Sequence, residues 1–314
     1  MKALLSKLLS VILTLILVSM MIFLVFQILP GNPAQIILGS EADEKQVKQL
    51  ETELGIDKPM PERYLNWMKD LLKGDMGKSL KYNVNVKDLF MDRLPVTLFL
   101  TSYSLILTVL IGIPLGIWIA SKDDKWYSTI IAGITQLGIS IPSFWLAFIL
   151  ILIFSVKLNI FPTFGYNVMS GNLLNKLYKF FIPAFAISLS NIATIVRYLR
   201  TAILDQIRKN YVRTARVKGL DINKILYRHV LRNALIPVIT ILGIILTSSI
   251  GGSIIIENVF ALPGIGSLIV QSVSSRDFPL IQSVVVVIAA MVIFINFIID
   301  ICYRIIDPRI RGGE

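Results

Sequence analysis

Gly77-Lys78-Ser79, inside GDMGKSL at 74–80, has the residue types of a phosphate-binding loop. Such a loop cradles phosphate oxygens on backbone N–H groups, and its lysine supplies charge. The spacing fails here: Leu72 stands where the first glycine is required, and no apolar strand precedes the stretch. Other chemistry-bearing residues are as sparse. His229 is the only histidine and Cys302 the only cysteine. A disulfide framework and a multi-thiolate metal site are thereby excluded, and a histidine triad or proton relay has almost nothing to work with. No catalytic residue, metal ligand or cofactor is expected.

Composition explains why. Hydrophobic residues make up 55% of the 314 and mean hydropathy is +0.73. A chain of this length with so few charges belongs with integral membrane proteins. Six apolar runs reach the roughly 20 residues that a membrane-crossing helix needs. They are 8–29, 96–120, 129–156, 180–203, 234–256 and 281–303. The first follows Lys2 and Lys7, as a signal peptide would, but is too long for one and no A-x-A site follows; it is expected to remain as a span.

The net charge of +11 is unevenly placed. Ten Lys or Arg lie between Arg197 and Arg232, whereas the short loops on the opposite side hold only Lys157, Lys176, Lys179 and Arg276. The positive-inside rule then puts both termini in the cytoplasm and segment 30–95 outside. That segment is too long for a bare connector. Val47, Leu50 and Leu54 fall at helical spacing, and PERYLNWMKDLL places Tyr64, Trp67, Met68, Leu71 and Leu72 on one face behind Pro61. A small helical cap is expected there, or a docking surface for a partner that delivers substrate.

Charge is nearly absent from the span centres; Lys157, Glu257 and Asp300 sit at or near ends. Ion-coupled carriers usually carry intramembrane carboxylates, so this weighs against a secondary transporter. Gln136, Ser140, Ser188, Ser190, Asn191 and Asn296 are neutral polar groups within the runs. Ser140, Ser188, Asn191 and Asn296 are the candidates for a wet pathway, the alternative role being interhelical hydrogen bonding. GIPLG at 112–116 suits close helix packing or a kink. After the fifth run, Pro263, Gly264 and Gly266 predict a turn before a short apolar helix, a half-inserted element at an outer gate.

YVRTARVKGLDINKILYRHVLRNALIP at 211–237 carries the densest positive charge. Gln206–Val217 reads as a helix, with Gly219 its C-terminal stop and Asp221 the N-cap of a second helix. Ile222, Ile225 and Leu226 lie on one side of that second helix, and Lys224, Arg228 and Arg232 on another. A membrane anchor holding lipid headgroups would need the charge but neither the glycine stop nor an apolar face. Nucleic acid is excluded because the stretch is short, tethered at both ends and lacks a stacking platform.

The stretch resembles the cytoplasmic loop of ABC-importer permeases, most nearly the dipeptide/oligopeptide/nickel group. ILPGNPA (28–34), LGID (54–57), GDMGKSL (74–80), RLPVTLFLT (93–101), GIPLGI (112–117), ISIPSFWLA (139–147), ENVFALPGIG (257–266) and DPRIR (307–311) are similar to that group in the same order. The general loop motif is EAA–x3–G; here Arg213, Thr214, Ala215 and Gly219 correspond, and only Ala215 and Gly219 match it. The resemblance implies an all-α, six-span permease of the type I importer fold, with a helical insert between spans one and two. The implied segments are an N-terminal span 1–29, an extracytoplasmic insert 30–94, a permease domain 95–305 with a coupling loop 204–234, and a tail 306–314. It implies a transport subunit of a bacterial-type plasma membrane, not an enzyme. Its implied partners are a second permease subunit, two cytosolic ATPase subunits, an extracytoplasmic binding protein and membrane lipid. Coupling to the ATPase would fall to Tyr211, Arg213, Thr214, Ala215, Lys218, Gly219, Arg228 and Arg232. Di- or oligopeptides are the implied substrates, with nickel or a metal chelate the alternative.

Overall fold

Long uninterrupted apolar runs become long helices, because a helix satisfies every backbone polar group within its own segment. The computed structural model describes residues 2–28, 34, 38, 43–53, 55, 57–163 and 167–306. ILPGNPA and LGID fall partly, and DPRIR with most of the predicted tail wholly, outside the described residues. Leu54 also lies outside them.

The described elements are helices, in the order α1 (Lys2–Ile28), α2 (Glu44–Glu53), α3 (Met60–Leu72), α4 (Val86–Ser121), α5 (Trp126–Ser140) and α6 (Ser143–Leu150). A π-helical segment, Ile151–Lys157, continues α6. There follow α7 (Leu173–Ile207), α8 (Asn210–Val217), α9 (Ile222–Ile225), a π-helical turn (Leu226–Val230), α10 (Leu231–Val259), α11 (Ile265–Ser274) and α12 (Phe278–Ile306). Among the described residues, five continuous helical stretches are long and apolar enough to cross a membrane. The third predicted span, 129–156, is not one straight helix: α5 and α6 meet at 104°. Pro142 is the cause. It bars Ile141 from the helical region, and both residues are extended (ψ 124° and 136°) before the helix restarts at Ser143. Two further expectations shift. The span expected from Val96 begins at Val86, and the helix expected from Gln206 starts at Asn210, because α7 runs on to Ile207.

The chain divides into two compact units. One comprises Met1–Pro95 and Ser267–Phe297. In it, Tyr64 of α3 shares a 2.9 Å hydrogen bond with Ser19 of α1, and the Phe23 ring lies against Tyr64 and Trp67 at 5.4 and 5.9 Å. Tyr64, Trp67, Met68 and Leu71 are partly covered as the predicted face requires, whereas Leu72 is exposed and leaves that face. GDMGKSL acquires a role here. The Ser79 hydroxyl donates to Asp277 Oδ2 (2.5 Å), and the amides of Leu80 and Lys81 donate to the same carboxylate at 3.1 and 3.2 Å. The loop is thus an anion-binding concavity whose anion is an aspartate of the chain itself. Asp277 also N-caps α12, accepting from the Leu280 amide at 3.4 Å. It is fully buried. Asp277→Ala is expected to lower stability by about 3 kcal/mol, because four donors, two of them buried at Ser79 and Leu280, lose their acceptor together. Thermal unfolding of the purified protein checks this, with Asp277→Asn expected to fall between the two.

The other unit comprises Val96–Gly266 and Ile298–Glu314. Its hub is α7, against which small residues let neighbours approach closely. A Cβ at Gly112 or Gly116 of α4 would stand 3.1 Å from Ile195 or Leu199, and one at Gly138 of α5 would stand 3.3 Å from Ala193. GIPLG therefore serves helix packing. One buried cluster joins Val96, Leu100, Phe180, Ile182, Ile256 and Phe260. A second joins Leu199, Ile203, Val212, Ile225, Val230 and Val238. Arg200 of α7 pairs with Asp123 in the α4–α5 turn at 2.5 Å.

Candidate functional site

A cavity of about 310 Å3 opens at the break between α5 and α6. Ser140 and Ser143 border the break, Ser190 and Asn191 come from α7, and Ser248 and Ser249 from α10. The Asn191 amide donates to the Ser249 hydroxyl at 3.4 Å. Because the helix is interrupted, the carbonyl end of α5 and the amide end of α6 both border the cavity. Irregular backbone at membrane depth is stable only where it is buried in protein or lines a wet cavity. Every lining residue among the described ones is uncharged. The site can therefore exchange hydrogen bonds with amide, carbonyl and hydroxyl groups but offers no fixed charge.

Two of the four predicted pathway residues, Ser140 and Asn191, meet in this cavity. Ser188 does not line it; it is buried and donates to the Phe185 carbonyl of its own helix at 2.9 Å. Asn296 is exposed on α12, in the other unit. Ser143, Ser248 and Ser249 were not anticipated. The signal for the latter pair was TSSIGGS at 247–253, a cluster of small and polar residues inside an apolar span.

The basic stretch forms a defined body. Helix α8 ends in a Schellman motif, with Gly219 N–H donating to the Arg216 carbonyl (2.9 Å) and Leu220 N–H to the Ala215 carbonyl (3.3 Å). Gly219 has φ +74° and open space where a Cβ would be, so backbone conformation and not crowding selects glycine. Asp221 then accepts from the Asn223 amide at 3.0 Å as the expected N-cap. The second helix is no separate piece, since Ile222–Val259 is continuous through the π-helical turn. Val212, Ala215, Ile225 and Leu226 are buried in the element's own core. Ala215 therefore seats α8 and presents nothing outward. Ile222 departs from its predicted face: it is 59% exposed, and Val217, on the other side of the Gly219 turn, is 83% exposed. Tyr211, Arg213, Thr214, Lys218, Arg228 and Arg232 are exposed. The element thus carries an apolar tip within a basic rim.

The predicted gate residues surround a group that spacing alone left without a role. Glu257, two residues before the end of α10, is fully buried. The Thr97 hydroxyl donates to its carboxylate at 2.7 Å and accepts from the Ile265 amide at 2.9 Å. Leu262 N–H donates to the Glu257 carbonyl at 2.8 Å, and Gly264 N–H donates to the Leu262 carbonyl at 2.9 Å, the second bond closing the turn that holds Pro263. Gly264 and Gly266 lie where any Cβ would collide with this carboxyl group. Gly266 falls inside α11 and not in the turn. The signal was present in ENVFALPGIG: one carboxylate followed by two glycines at a proline turn.

Known proteins carry the same arrangement of sequence. Residues 1–101 match the family described as binding-protein-dependent transport system membrane component, N-terminal. Residues 112–312 match the binding-protein-dependent transport system inner membrane component family. The chain is 38% identical over 300 residues to the oligopeptide transport system permease protein AppB of Bacillus subtilis, covering 94% of each chain. It is 34% identical to the dipeptide transport system permease protein DppB of Alkalihalophilus pseudofirmus, over 97% of this chain and 98% of that one. Identity to the glutathione transport system permease protein GsiC of Escherichia coli O6:H1 is 35%, over 98% and 97%. In fold it is similar to a chain of the MetNI methionine ABC transporter in its inward-facing conformations, with TM-score 0.57 and 18% identity over 70% of this chain and 96% of that one. Broken span, seated basic element and glycine-lined turn thus belong to a sequence matched over nearly its whole length, and the chain is a member of the binding-protein-dependent transport system inner membrane component family.

Proposed function

We propose that this chain is the permease subunit of an ATP-driven importer of di- or oligopeptides, with the cavity at the α5–α6 break on the translocation route. The observation that carries the reading is the cavity's lining of hydroxyl and amide groups without charge. A peptide of any sequence offers amide N–H and C=O groups, and neutral partners hold these without selecting side-chain charge. The names of the relatives, permeases of oligopeptide, dipeptide and glutathione transport systems, support the same substrate class. Asn191→Leu combined with Ser249→Ala is expected to lower peptide uptake into proteoliposomes about tenfold, as loss of one or two hydrogen bonds predicts. Complex assembly and ATP hydrolysis should be retained; unchanged uptake would remove the cavity from the route.

In this reading the chain does no bond chemistry, and separate ATPase subunits hydrolyse ATP. Both termini and the 204–234 element face the cytosol, where the apolar tip enters a groove on an ATPase. A second permease subunit completes the pathway, and a binding protein delivers peptide to the opposite face, where the 30–94 insert and the Glu257 turn lie. The support for coupling is mechanical: a capped helix locked to a long continuous helix transmits displacement as a body.

A further inference from the structure

The unit containing the insert holds a second cavity, of about 620 Å3, between α1, α3 and the start of α12. Its lining is amphiphilic. Among the described residues, Lys58, Arg63, Lys69 and Lys73 line it against a single acidic residue, Asp70. Trp67 and Phe23 supply an aromatic wall. Lys58 is held by Glu62 at 2.9 Å, which leaves Arg63, Lys69 and Lys73 as the cations that an incoming anion would meet. Burial pushes the Arg63 guanidinium below its ordinary value, the sign of a cation short of solvent.

The cavity's depth identifies what fits. Tyr64 of α3 bonds Ser19, nine residues before the end of α1 at Ile28, which is about 13 Å along the helix axis. Helix α3 therefore lies against the apolar run of α1, as an interfacial amphipathic helix does, with Leu65 and Leu72 exposed. Below the cavity, on the same side of α1 as Phe23 by helical spacing, Ile16 and Met20 are also exposed. Basic groups above an aromatic wall and an apolar flank match the order of groups in a phospholipid: phosphodiester, glycerol ester, acyl chain. A soluble anion would use only the cations. An acidic loop of a protein would leave the apolar flank uncovered.

We propose that this cavity binds the headgroup of an anionic phospholipid, its phosphodiester on Arg63, Lys69 and Lys73, its acyl chains along α1. The insert is then fastened to the membrane surface by a bound lipid as well as by its own side chains.

The test uses the full chain purified with its co-expressed subunits, in phosphatidylcholine nanodiscs containing phosphatidylglycerol that carries a photoreactive acyl chain. Crosslinks are expected on peptides spanning 58–73 and the end of α1. Arg63→Gln with Lys69→Gln should lower their yield about tenfold, since each basic residue near a membrane surface contributes several-fold in affinity. Arg63→Lys with Lys69→Arg should restore it, separating charge from folding, and the variants should elute as intact complexes. Equal labelling by photoreactive phosphatidylcholine would overturn the proposal. So would competition by soluble glycerol 3-phosphate, which would assign the site to a small anion, or displacement of the lipid by an added binding protein.

Discussion

Gly266→Ala will unseat the start of α11 and abolish transport. A Cβ at this position runs into the Cα of Ile254 on α10 and stands 2.9 Å from the Glu257 carboxylate. Main chain in a buried helix cannot rotate away as a side-chain tip could. Overpacking of this kind costs about 1–3 kcal/mol where side chains yield, and more where backbone must move. The melting temperature of the purified complex should fall and uptake should be lost; a wild-type melting curve would sink the prediction. Gly264→Ala provides the contrast, because its collision is with the Glu257 carboxyl group itself. Adding Glu257→Ala removes the obstacle. The double variant should therefore cost less than the sum of the two singles, by about 1–2 kcal/mol, the range found for residues in contact.

A second large effect is expected at the basic element, with the opposite signature. Val217→Asp together with Ile222→Asp should leave insertion and melting nearly unchanged, because both side chains are already exposed and surface changes stay within about 0.5 kcal/mol. ATPase association should drop more than about a hundredfold if the two are anchors in a groove, since an anchor contributes about 2 kcal/mol or more. Co-purification of the ATPase and ATP-dependent uptake measure this. Ala215→Asp should behave differently, as a folding defect, because it puts a charge into the cluster of Val212, Ile225 and Val230. If both changes act alike, through stability, the apolar tip is not a docking surface.

The helices that cross the membrane were legible because an apolar run of sufficient length has only one stable form in lipid. Gly219 and Asp221 were legible for a local reason as well: a positive φ and a side-chain cap are properties of a few neighbouring residues. What stayed hidden depends on partners distant in sequence. Apolarity continues unbroken through Ile141 and Pro142, so the run suggested one span, although the proline was the signal for a break. Glu257 sits close to a helix end in sequence, and only Thr97, 160 residues away, shows that its carboxylate is buried and bonded. Spacing ruled out a phosphate loop at Ser79 but left the residue without a role, which Asp277, 198 residues away, supplies by placing its carboxylate in the loop. Ser188 and Ser190 are indistinguishable by composition; helix phase against α10 sends one into packing and the other to the cavity.

A neutral lining has a consequence for the membrane's energy supply. A bilayer that stores work as an ion gradient loses it through any standing column of water that stabilises a cation or a proton. Rings of carboxylates do so, and cation-selective pores use them for that purpose. The cavity at the α5–α6 break has serines, an asparagine and backbone ends instead. Water held there meets weak, mutually compensating dipoles, and an ion entering it gives up hydration without gaining a counter-charge. On the route proposed above, the same lack of charge that would admit peptides of any sequence would make the cavity a poor conductor, so the electrical seal would not depend on a perfectly closed gate.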